Sequence, residues 1–203
     1  MMGERFDNLR KIPKEPAARL LALANARLTT PVRTPASADV ATVLAALEAA
    51  GAAEAAVDML RLLSAALPPR ERVWWACLAG RDLTGPDAKP PATLAAAEAW
   101  VFKPTEENRA AARAALDTAD PDDAASLCAV AAVFADGTMG PGDLAAHPAP
   151  PGASQAAAFG MNLRAIGTGG DDFAAEAGRL IDRALDIARG GNGRIAPKAE
   201  AGA

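Results

Sequence analysis

The chain has 203 residues, of which 51% are hydrophobic but only 4% aromatic, and it carries a formal net charge of −4. That length suits one domain, and an acidic balance with Arg and Lys scattered among carboxylates excludes the basic face of a general nucleic-acid binder. About a quarter of the residues are alanine, while there is one histidine (His147), two cysteines and no tyrosine, so the usual acid–base, metal-ligating and nucleophilic groups are nearly absent.

Residues 1–13 read as a flexible arm ending at Pro13. The polar start MMGERFDNLRKIPKEP lacks the apolar core of a signal peptide. A first helix fits 14–27, with Leu20, Leu21, Leu23 and Leu28 as its apolar stripe, followed by a Pro-rich connector. Ser37 is the predicted N-cap of a second helix, in which Val40, Val43, Leu44 and Leu47 recur at helical spacing until Gly51 breaks the run. The third carries Val57, Leu60, Leu63 and Leu67 and stops at Pro68-Pro69.

A fourth helix runs from Pro69 to Leu83, and TGPDAKPP (84–91) is a loop. Pro91 opens a fifth, through Leu94, Glu98, Trp100 and Val101, which Pro104 ends. Thr105 caps a sixth, with Arg109 and Arg113 on one face and Ala112, Ala115 and Leu116 on another. Asp120-Pro121-Asp122-Asp123 predicts the start of a seventh, combining a cap, Pro at the first position and acids in the first turn.

Residues 136–151 are too rich in Gly and Pro for regular structure, and are longer than the usual connection. An eighth helix fits 153–167 and a ninth 171–189, before Gly190-Gly191-Asn192-Gly193 opens a disordered tail to residue 203. No stretch approaches the ~20 uncharged apolar residues of a membrane span. The expectation is an all-α chain: a compact irregular bundle of eight to nine helices in antiparallel pairs over 14–189, cytoplasmic, with no membrane or nucleic-acid partner.

Few side chains invite a chemical role. Trp74 and Trp75 are adjacent and point about 100° apart on a helix, so one fills the core and the other meets a second surface or solvent. Both can serve as packing wedges in a thin Ala core, or one as an anchor for a partner, since Trp and Arg dominate interface hot spots. Glu98, two residues before Trp100, suits an ion pair with Arg72 or Arg81, although a catalytic carboxylate looks similar in sequence. Cys77 and Cys128 lack metal-type spacing and read as buried thiols. His147 has no companion ligand. The run 167–172 lacks GK[ST] and follows no strand, so it reads as an acidic helix cap rather than a phosphate loop, and no metal or cofactor is expected.

ERVWWACLAGRDL (71–83), AAAEAWVFKPTEENRAAARAA (95–115) and ASLCAVAAVFADGTMGPGDLA (125–145) together resemble an uncharacterised family of bacterial Ala-rich helical proteins over residues 37–167. That resemblance implies no catalytic residues. It implies a structural centre or partner contact formed by Arg72, Trp74, Trp75, Glu98 and Trp100, and a loose association with type VI and related secretion loci. The leading expectation is a helical adaptor that binds another protein. The alternative is an enzyme or small-ligand protein with its site around Glu98 and the Arg72/Arg81 region.

Overall fold

The computed structural model describes residues 4–85, 88–167 and 172–195. Among these are nine α-helices and no strand: α1 (Ala17–Leu23), α2 (Val40–Ala50), α3 (Ala53–Ala66), α4 (Pro69–Thr84), α5 (Ala92–Phe102), α6 (Glu106–Asp117), α7 (Ser126–Val133), α8 (Ala153–Ile166) and α9 (Phe173–Arg189). Two 3-10 turns, Glu4–Phe6 and Gly142–Ala146, complete the regular structure.

Local chemistry sets most of the boundaries. The Asp39 carboxylate accepts the Thr42 amide at 2.8 Å and caps α2, while Gly51 ends that helix with a left-handed φ of 66°. Pro68 cannot continue α3, and Pro69 opens α4 at its first position. Thr105 caps α6 and Asp172 caps α9.

Three expected boundaries differ. The cap of α2 is Asp39, not Ser37. Extended backbone at Pro16 delays α1, and a positive φ at Asn25 follows its early end, so the first helix is half the expected length. The start expected at Asp120 moves to Ser126, because Asp120 accepts the Asp122 amide and Asp123 the Ala125 amide. These side chains offer the backbone tight turns that compete with helix. The other Asp123 oxygen accepts the Thr93 hydroxyl, tying this turn to α5.

The core centres on α4, which packs on α5, α7, α8 and α9, while α3 packs on α1, α2, α8 and α9. Alanines and leucines fill it, with Leu44, Leu47, Leu60, Leu62 and Leu63 all without exposed surface. Each such leucine contributes about 1.5–3 kcal/mol relative to exposure. Small residues bring the helices close: a Cβ on Gly152, where φ is +78°, would lie 1.9 Å from the Ala24 carbonyl oxygen. The entry to α8 is thereby pressed against the end of α1.

Both ends of the described chain are packed. Phe6 and Ile12 join the core, Lys11 N donates to Ala188 O at 2.8 Å, and Arg5 bonds Asp182 and Glu48. The arm expected over 1–13 is therefore held down from residue 4. Residues 190–195, expected within a disordered tail, instead fold back: the Gly193 amide donates to Asp186 at 2.8 Å and Gly193 is buried. Residues 196–203, and residues 168–171 of the acidic cap, lie outside the described residues.

Candidate functional site

The adjacent tryptophans of α4 divide as their angular offset requires. Trp75 is fully buried, and its indole N–H donates to Leu180 O of α9 at 3.1 Å. Trp74 is half-buried and donates to Asn192 O at 2.7 Å, so its outer edge is fixed by the fold-back after α9. The ring centroids of Trp74 and Phe102 are 6.1 Å apart, tilted by 58°, and the Arg194 guanidinium sits 5.6 Å above the Trp74 ring. Phe102, at the end of α5, is 70% exposed.

Trp74, Phe102 and Asn192 border a groove of about 250 Å³ with Val101 and Ile187 on its apolar side and Lys11, Arg70 and Glu71 on its polar side. Lys11 pairs with Glu71 at 2.8 Å, and Arg70 Nε donates to Val101 O at 2.6 Å. Among the described residues Arg70 and Arg194 have no carboxylate partner, which gives the groove a positive edge. Trp100 faces inward from α5 and is buried.

Glu98 meets Arg81, not Arg72. The pair is bidentate, Nε to Oε1 at 2.7 Å and Nη2 to Oε2 at 2.6 Å, and the Glu98 hydrogen bond lifts the Arg81 guanidinium above its usual value. A carboxylate clamped this way acts as a strut between α4 and α5. Arg72 lies elsewhere, bonding the Ser154 hydroxyl at 3.2 Å and the carbonyls at the end of α3. The five residues grouped in sequence thus occupy separate settings: a core anchor (Trp75), an inner wall (Trp100), a groove (Trp74), a surface strut (Glu98) and a buried cation (Arg72).

Other buried polar groups were not visible in sequence. Arg109 is 1% exposed and its guanidinium donates to Gly140 O at 2.8 Å and the Thr138 hydroxyl at 2.8 Å, while pairing with Glu106 and Asp136. It latches the 136–151 segment, which also closes on itself through Met139 N to His147 O and Ala149 N to Gly137 O. The usable signal was its spacing: Arg109 and Ala112 are three apart and share the inward face, not opposite ones. Asp58 is fully buried and accepts the amides of Thr29 and Thr30 at 2.7 and 2.6 Å, pinning the connector after α1.

Cys77 and Cys128 are both buried free thiols. Burial, with a hydrogen bond between the two thiols, pushes the Cys77 thiol well above its ordinary value. His147 is exposed at the end of the Gly142–Ala146 turn. Among the described residues no three His, Cys, Asp or Glu side chains gather as metal ligands, and no helix is long and apolar enough to cross a membrane.

No curated protein and no solved structure matches the chain. Residues 43–188 match a family of unknown function, DUF6931, from within α2 to the last turn of α9. The match reaches further toward the C-terminus than the 37–167 span of the resemblance, taking in nearly all of α9, and it carries no link to secretion systems. Since it covers well over half of the 203 residues, the chain belongs to the DUF6931 family.

Proposed function

We propose that this protein is a cytoplasmic helical adaptor that binds another protein through the Trp74–Phe102 groove. The observation that carries this reading is the position of Phe102: a large aromatic side chain, 70% exposed, held beside a half-buried tryptophan. Aromatic anchors beside arginines are the composition of interface hot spots. The positive edge given by Arg70 and Arg194 favours a partner segment that carries an apolar side chain next to acidic residues.

Two features weigh against an active site at Glu98. Both of its oxygens are held by Arg81, and among the described residues Glu98 makes no hydrogen bond to a second acid or base that could complete an acid–base couple. A connection to secretion loci belongs to the same proposal, and the neighbouring genes of several family members would test it.

The experiment is site-specific photo-crosslinking in the native cell. A photoreactive residue replacing Phe102 should capture one partner, identified by mass spectrometry, whose crosslinked peptide contains Asp or Glu beside an apolar residue. The same probe at the exposed Leu144 serves as the control. Equal capture at both positions would end the proposal.

A further inference from the structure

A second recess, sharing no residue with the groove, opens where the N-terminus of α8 meets α4 and measures about 210 Å³. Arg72 forms part of its wall although only 4% of its surface is exposed. Its bonds leave the guanidinium incomplete. Nε donates to Ser154 Oγ at 3.2 Å, and Nη1 makes long bonds to Ser64 O and Leu67 O at 3.5 and 3.3 Å. Among the described residues Nη2 donates to no acceptor, and no carboxylate pairs with the charge. Burial without a counter-ion pushes this guanidinium down to about 10, so it remains a cation at neutral pH.

The backbone adds donors on the same wall. The Ala153 amide donates to Pro150 O and the Ala156 amide to Gly152 O, but the amides of Ser154 and Gln155, between them, have no acceptor among the described residues. They sit in the first turn of a 14-residue helix, where the macrodipole favours negative charge. The Ser154 hydroxyl donates to Ala131 O at 2.8 Å, which turns its lone pairs toward Arg72 and fixes the cation in place. No acidic side chain lines the recess, and its rim is apolar: Leu23, Phe134 and Pro150.

We infer that this recess binds a carboxylate carried on a short apolar body, either a free short-chain acid or the C-terminal residue of a polypeptide. One unpaired cation and two free amides match a monoanion. A phosphate dianion would bring a second charge that nothing here neutralises. The small volume and the Leu23–Phe134 rim suit a body of a few carbons. The inference stands apart from the groove and fails or holds independently of it.

The test uses the full chain with butyrate, N-acetylvaline and N-acetylvalinamide, followed by amide chemical shifts in NMR titrations. Both acids should shift the Ser154 and Gln155 amides, and the amide analogue should bind at least tenfold more weakly. N-acetylvaline binding tenfold more tightly than butyrate would point to a polypeptide terminus, and equal binding to a free acid. Arg72→Gln should abolish binding. Because that variant removes a bond to the end of α3, Leu23→Glu provides a second arm: Leu23 is 62% exposed, so the fold should survive while binding weakens about tenfold. Three results would overturn the inference: no shift at the two amides, undiminished binding by Leu23→Glu, or inorganic phosphate binding more tightly than either acid.

Discussion

Trp74 and Trp75 differ by one position in sequence, and that single helical step sets how much each contributes to stability. Trp75 has no exposed surface in a core built mainly of Ala and Leu, which offers few large neighbours to close a void. Trp75→Ala should cost on the order of 3–5 kcal/mol, and Trp74→Ala about 1 kcal/mol, measured by urea denaturation. Equal losses would show that the two rings share one environment. Cys77 and Cys128 carry a second expectation at this scale. Both are buried, and burial holds the Cys77 thiol protonated, so both should resist a thiol-specific reagent in the native protein and react once it unfolds. That thiols were buried was legible, because each lies in an apolar run. The burial of Arg109 was legible only in its three-residue spacing from Ala112, while its acceptors, a loop carbonyl and a threonine hydroxyl about 30 positions away, are encoded by no local pattern.

At the scale of elements, punctuation by Pro and Gly made α3, α4, α5 and α8 readable to within a few residues, since those residues act on the backbone locally. The start of α7 was missed for a reason of the same kind: a run of Asp can cap a helix or close a turn, and only the Thr93 hydroxyl on a neighbouring helix shows which. Asp39 gives a test with a definite sign. The hydroxyl and amide of Thr42 hold its carboxyl below the usual range. The cap therefore contributes fully above about pH 4 and is lost as pH falls through the lowered folded value. Asp39→Ala should cost about 1 kcal/mol at pH 7, with the difference from the parent disappearing in strong acid. The 136–151 segment is long and rich in Gly and Pro, yet the Arg109 latch ties it to α6. It should resist limited proteolysis in the parent and become the first site cleaved in Arg109→Ala. That substitution should also cost about 2–4 kcal/mol, less than a fully buried pair because Asp136 and Glu106 reach water.

For the molecule as a whole, the segment before α1 and the fold-back after α9 do more than close the ends. The first packs on α9 through Lys11 and Arg5, and the second supplies Asn192 and Arg194 to the ring of Trp74. The groove proposed for the partner is therefore assembled from α4, α5 and both chain ends, which explains why sequence indicated the tryptophan and not Phe102 or Arg194. Lys103 and Pro104 after Phe102 read only as a helix stop, and exposure of an aromatic at that stop is a tertiary fact. The most direct test of the docking account is the affinity of the purified, identified partner for the parent and for Phe102→Glu. A glutamate there removes the exposed ring and sets a negative charge against an acidic segment, without disturbing a buried contact. The account predicts an unchanged melting temperature and binding weakened by at least tenfold. An unchanged melting temperature with undiminished affinity would contradict it.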